Sequence, residues 1–297
     1  MPLQLSIAPR AHVLSDDLTV RRVLPAAASR HVGPFVFFDH FGPVRLPADA
    51  DTDIGPHPHI GLATVTYLFE GRMLHRDSLG SVQEIAPGAV NWMTAGHGIV
   101  HSERRAEADQ GRPRALHGLQ LWVALPPGAQ AGAEDGPPAF QHVPATDLPE
   151  LHDGDARVRV LAGEAFGARS PVRTVAPTLY LDVTLGASGR WTLPPLAAER
   201  AVYAPTQDVQ VDGGPLPAAT LGVLQPGHPA TITGEPGSRF VVVGGTPPAA
   251  PPMIWWNFVA SDADRIETAA RKWDADGFPH VPGETDRLRM PPFKRAT

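Results

Sequence analysis

Gly55-Pro56-His57-Pro58-His59-Ile60-Gly61 and Thr94-Ala95-Gly96-His97-Gly98-Ile99-Val100-His101-Ser102-Glu103 bracket the stretch on which the chain turns. In an extended strand, residues two apart point to one face. His57 and His59 therefore project together, and so do His101 and Glu103. If the two segments lie side by side, three imidazoles and one carboxylate meet at one point. Such a set suits a divalent ion: imidazole accepts Fe, Ni, Cu or Zn, and the carboxylate adds a hard oxygen. Four protein ligands on a six-coordinate ion leave two positions for substrate, water or O₂. A single His-x-His is often a solvated loop or a satisfied core pair; two same-face pairs separated by strand-like sequence are not so easily dismissed. His97 shares the parity of His101 but stands between glycines, and is read as pocket wall or outer layer, not as a ligand.

The sequence between and around these motifs reads as strands. Leu62-Ala63-Thr64-Val65-Thr66-Tyr67-Leu68-Phe69 is β-branched and aromatic between glycines. Met73 to Asp77, Val82 to Ile85, Val90 to Met93 and His117 to Leu125 follow at short spacing, punctuated by Glu70-Gly71, Leu79-Gly80-Ser81 and Pro87-Gly88. That rhythm predicts a sandwich or barrel. Upstream, Leu18 to Leu24 alternates, and the phenylalanine-rich run from Phe35 to Phe41 reads as a buried strand ending in a hydrogen-bonded His40. His75 is read as a surface residue across strands or a neighbour of the site. Arg104-Arg105 and Arg271-Lys272 are read as solvated faces.

From Pro126 to about Asp155 the sequence is rich in Gly, Pro, Ala and Asp and is read as a connection. This divides the chain into residues 1–135 and 136–297. The second part repeats the first faintly. Leu179 to Leu185, Arg200 to Tyr203 and Phe240 to Gly244 are strands, and Pro226-Gly227 matches Pro87-Gly88. Leu193, Pro194 and Pro195 stand where a His-x-His is expected, so a metal belongs to the first copy alone. At the C-terminal end a helix over 262–273 is expected, with Ser261 as N-cap, Gly277 as stop, and Ile266, Ala269, Ala270 and Trp273 on one apolar face.

Composition narrows the function classes. The 297 residues suggest about two domains. The 34 prolines and 29 glycines, spread along the chain, fit many turns and not long helices. With no cysteine there is neither a disulfide framework nor a thiolate site. A structural zinc site, usually rich in cysteine, is disfavoured. The start, Met1 to Ser6, lacks the pattern of a signal peptide, and no apolar run reaches membrane-spanning length. A cytoplasmic protein is expected. A net charge of −6 without a basic cluster argues against direct nucleic-acid binding.

The chain resembles the pirin family, a branch of the cupin superfamily. The matching stretches are Phe37-Phe38-Asp39-His40-Phe41-Gly42-Pro43, His57-Pro58-His59-Ile60-Gly61, and Pro87-Gly88 with Trp92-Met93-Thr94-Ala95-Gly96. Gly98 to Glu103, Gly118-Leu119-Gln120-Leu121-Trp122 and Trp256-Asn257-Phe258-Val259-Ala260-Ser261 continue the match. The resemblance implies an all-β fold of two tandem cupin (jelly-roll-like) β-barrels with a C-terminal packing helix. It implies metal ligands at His57, His59, His101 and Glu103, and one divalent ion, Fe(II) before Ni, Cu, Co or Zn. It implies a quercetin 2,3-dioxygenase-type oxidoreductase that opens a flavonol ring with O₂, with Glu103 as the catalytic base. The alternative in the same family is a non-catalytic, iron-dependent regulator that binds a partner protein. Phe35, Phe37, Trp92 and Met93 are candidate pocket walls, though core packing suits each. Two positions depart from the family pattern: Ile60 and His97 stand where many relatives carry arginine, both expected at the pocket mouth.

Overall fold

The computed structural model describes residues 3–293. Met1 and Pro2, part of the start read above for a signal peptide, lie outside the described residues. The architecture is all-β apart from a short 3₁₀ turn and one α-helix among the described residues. That helix is too short to cross a membrane. Two cupin barrels make up the chain, as the strand rhythm and the resemblance predict.

Two compact units form, and they interleave along the sequence. One contains residues 1–12, 21–40 and 143–247; the other contains 13–20, 41–142 and 248–297. A single cut between 135 and 136 does not describe this exchange of segments. The strands Leu3–Ile7 and Arg10–Ser15 were not anticipated. Leu3–Ile7 pairs antiparallel with Leu221–Leu224, far away in sequence. Long-range pairing of this kind leaves no local signature.

In the unit that carries the histidines, the strands Ala139–Val143, Val90–Thr94, Leu62–Glu70 and Arg114–Ala124 lie side by side in that order. A four-stranded sheet, Ile54–His59, Ile99–Arg104, Met73–Asp77 and Val82–Ile85, forms the other wall. The stretch after Pro126, read as a connection, is largely part of this barrel. Phe140 packs against Met93, Ala95 and Ile99, and the buried Glu134 carboxylate accepts the Ser261 N–H at 2.9 Å. Weak hydrophobic patterning there reflects an edge strand and a buried polar anchor.

The other unit repeats the plan. Its four-stranded sheet runs Arg190–Leu193, Ala230–Thr233, Val209–Val211, Gly214–Leu216. By sheet order, Arg190–Leu193 matches Ile54–His59 and Ala230–Thr233 matches Ile99–Arg104. On these strands Trp191, Leu193, Ala230 and Ile232 are buried in one apolar cluster with Phe240 and Val242. Side chains fill the interior where the first barrel carries imidazoles.

The helix Ala263–Asp274 buries Ile266, Ala269, Ala270 and Trp273, the expected face. Its N-cap is Asp262, one residue later than expected, because that carboxylate accepts the Arg265 N–H at 3.0 Å. Ser261 instead gives its N–H to Glu134. The helix packs with Ile60, Val100, Phe258 and Phe278 behind the two histidine strands. Arg104 and Arg105 are not solvated faces. Arg104 pairs with Glu284 and Asp286, and Arg105 donates to the carbonyls of Ala48 and Ala50.

Candidate metal centre

The two histidine motifs fold into neighbouring antiparallel strands, with His101 opposite His57 and Ile99 opposite His59. This register delivers what parity predicts. The ring centroids of His57 and His101 stand 4.3 Å apart, and those of His59 lie 5.0 Å from each. All three are buried. Among the described residues they are the one set of three or more His, Asp or Glu whose donor atoms all lie within 4.8 Å of one another.

Gly61 makes the turn that follows the first motif. Its φ is +65°, and a Cβ there would run into the Val259 carbonyl oxygen. Glycine alone accepts both conditions cheaply. The Gly61 N–H donates to Gly96 O at 3.0 Å, tying the end of the first motif to the start of the second.

Two of the rings are oriented through Nδ1 by backbone carbonyls. His57 Nδ1 donates to Gly55 O at 2.9 Å and His59 Nδ1 to Asn257 O at 2.8 Å. A carbonyl can only accept, so Nδ1 carries the hydrogen and Nε2 is left with a lone pair. The Nε2 atoms of His59 and His101 are 3.1 Å apart. Buried Nε2 atoms this close together form a donor set that suits a cation. Burial first, and then neighbouring imidazoles, keep the rings neutral: His57 is lowered to about 4, and His59 and His101 lie well below the ordinary value. Neutral imidazole is the form that binds metal.

Glu103 is placed differently. Its carboxylate is not in the tight cluster. Oε1 accepts from Gln120 Nε2 at 3.0 Å, and Gln120 Oε1 accepts from the Thr66 hydroxyl at 2.7 Å. The hydroxyl fixes the amide so that its NH₂ faces Glu103. Burial pushes the Glu103 carboxyl up to about 7, against the opposing effect of the Gln120 bond. The strand that carries both residues pairs regularly with Met73–Asp77, so His101 and Glu103 keep their common parity, and it is the hydrogen bond from Gln120 that engages the carboxylate.

His75 is a buried neighbour of the site, not a surface residue. Its ring lies 5.3 Å from that of His101 and stacks on Phe140 at 4.3 Å and 9°. Its Nε2 donates to Asp77 Oδ2 at 3.0 Å. Desolvation works to raise the Asp77 carboxyl, but the bonds from His75 and Ser81 outweigh it and leave the group below its usual range. His75 and Asp77 have the same two-apart spacing as the ligand pairs, which is the signal that could have found them. Trp122 sets its edge against His59 at 5.3 Å.

The two departures from the family pattern do not form a pocket mouth in the way expected. Ile60 alternates away from His59 and is buried against Val100, Phe258 and Phe278. His97 is exposed on its loop, with its backbone N–H on Gly136 O. Of the candidate pocket walls, Phe35 meets Tyr180 edge-on in the other unit's own residue set, and Met93 is buried against Phe140, Ala95 and Ile99.

Two cupin barrels, one with a buried cluster of neutral imidazoles, define a bicupin protein with a candidate metal centre. The pirin family model matches residues 17–123, and the model of the pirin C-terminal cupin domain matches residues 180–279. A pirin-like protein of Caulobacter vibrioides is 43% identical over 262 residues, covering 87% of this chain and 89% of that protein. The chain belongs to the pirin family. A crystal structure of quercetin 2,3-dioxygenase from Acinetobacter baumannii superposes with a TM-score of 0.89 at 34% identity, covering 99% of this chain and 96% of that one. A second quercetin 2,3-dioxygenase structure from the same organism gives 0.83 at 26% identity, covering 93% and 98%.

Proposed function

We propose that this pirin is a metal-dependent dioxygenase that opens the ring of a flavonol-type substrate with O₂, using Fe(II) held by His57, His59, His101 and Glu103. The observation that carries this reading is the convergence of three buried, neutral imidazoles, two of them turned by a hydrogen bond at Nδ1 so that Nε2 is available. The likeness to the two quercetin 2,3-dioxygenases supports the substrate class. The donor set fits a divalent ion of the first transition row, with nickel, copper, cobalt and zinc as competitors.

The bound ion would supply Lewis acidity, lowering the substrate pKa and gathering substrate and O₂. The protein's own part is acid–base and positional. Glu103 is the buried carboxylate that would take the proton of the substrate hydroxyl. Gln120 and Thr66 hold that carboxylate in place. Trp122, Met93 and Phe140 make the surroundings apolar, which suits a flat aromatic substrate.

The test is O₂ uptake with quercetin by protein loaded anaerobically with Fe(II), with His101→Ala as control. Metal-dependent uptake that the variant abolishes is the expected result. Stoichiometric iron without uptake would overturn the flavonol reading, and partner capture in both iron oxidation states would then test the regulatory role.

A further inference from the structure

Two of the three imidazoles are oriented by backbone carbonyls, but His101 is not. The group at its Nδ1 is Nδ1 of His75, 3.5 Å away. His75 in turn places Nε2 on Asp77 Oδ2 at 3.0 Å. Asp77 is fully buried, and its Oδ1 accepts the N–H groups of Leu79 at 2.9 Å and Ser81 at 3.0 Å. An ionised carboxylate only accepts, so a neutral His75 carries its hydrogen at Nε2 and turns a bare Nδ1 toward His101. The His101 hydrogen then has two acceptors within reach, His59 Nε2 at 3.1 Å and His75 Nδ1 at 3.5 Å, the latter at the outer edge of hydrogen bonding. An ion on His101 Nε2 excludes hydrogen from that atom, so the metal-binding form of His101 needs the acceptor that His75 offers at Nδ1.

We propose that Asp77 and His75 are positioning residues of the metal centre, which set the tautomer of His101 and keep its Nε2 available to the ion. The proposal rests on the reading of the three imidazoles as a metal site. It adds a side-chain relay, Asp77 to His75 to His101, in a place where the other two rings use main chain. The relay is rigid: Phe140 stacks on His75, and the turn that follows Asp77 is pinned by the same carboxylate.

Asp77→Asn isolates the effect. The Asn side-chain oxygen can still accept from Leu79 and Ser81, so the turn is kept. Its NH₂ then faces His75 Nε2, which must become the acceptor. His75 would carry its hydrogen at Nδ1, facing His101, and His101 would be driven to the tautomer that blocks Nε2. Outer-layer partners of metal-bound histidines are typically worth about 10- to 100-fold in affinity.

The experiment measures Co(II) affinity by chelator competition for the wild type, Asp77→Asn, His75→Phe and the double variant. The ¹⁵N imidazole spectrum of the metal-free proteins reports the tautomer of His101. The expected result is a loss of about 10- to 100-fold for Asp77→Asn, with the metal-free His101 hydrogen confined to Nε2 in the variant and shared between Nδ1 and Nε2 in the wild type. His75→Phe keeps the stack on Phe140 and should also weaken binding. Adding Asp77→Asn to it should cost nothing further, because no ring remains to be inverted. Should Asp77→Asn fail to fold, His75→Phe alone decides through its affinity and spectrum. Wild-type affinity with an unchanged His101 tautomer would overturn the relay, as would independent, multiplying losses in the double variant. A wild type that binds no Co(II), Fe(II) or Ni(II) would overturn the metal reading beneath it, a distinguishable failure.

Discussion

Loading the metal-free protein with Fe(II) at pH 6 should release close to one proton per ion, and that proton should come from Glu103. Burial places the Glu103 carboxyl at about 7, so it is about 0.9 protonated at pH 6 and about 0.1 protonated at pH 8. It must ionise to act as a ligand. His57, lowered to about 4, is only about 0.01 protonated at pH 6, and His59 and His101 are held well below the ordinary value as well. Three histidines with an ordinary value of 6.5 would together release about 2.3 protons at pH 6, and an ordinary glutamate almost none. The two cases are therefore well separated. Anaerobic calorimetry in two buffers of different ionisation enthalpy gives the count. About 0.9 at pH 6, falling toward 0.1 at pH 8 and to near zero in Glu103→Gln at pH 6, is the expected result. A release near 2.3 would refute the claim that the fold presents neutral imidazoles. A release near zero in the wild type would refute a metal-bound, ionised Glu103.

The same carboxyl shapes the stability of the metal-free protein. Its folded value is raised from 4.5 to about 7, so the folded state binds the proton more tightly. This contribution is fully present below 4.5 and is lost as pH rises through about 7, at a cost of about 3 kcal/mol. Metal-free Glu103→Gln should therefore gain up to about 3 kcal/mol over wild type at pH 8, an advantage that disappears below pH 4.5 in urea unfolding curves. Gly61→Ala should destabilise by about 1–3 kcal/mol or more, because φ is +65° and the new Cβ meets Val259 O. A lowered urea midpoint with an unchanged slope would report it.

Much of this protein can be read in its sequence. Strand rhythm and turn dipeptides gave the all-β class, and the weak repeat gave two barrels. Same-face parity brought His57, His59 and His101 together. These signals are local, with a period of two, so they survive without knowledge of what packs where. Of Leu193, Pro194 and Pro195, read at the His-x-His region of the second copy, only Leu193 lies on the strand that matches Ile54–His59 in sheet order.

Other features depended on partners distant in the chain. The two units exchange segments because Leu3–Ile7 finds its hydrogen bonds on Leu221–Leu224. Glu103 shares parity with His101, yet its carboxylate is engaged by Gln120, a partner from another strand. For His75 the choice between a surface role and a place beside the site was decided by Phe140 and Asp77, which pack against it. Arg104 looked solvated until Glu284 and Asp286 arrived. The sequence by itself determined which side chains can share a face, since a strand alternates wherever it lies. Tertiary structure decided which faces are buried, which ring nitrogen carries the hydrogen and which carboxyl is held near neutrality. Desolvation and hydrogen-bond direction depend on neighbours that the chain brings in from far away.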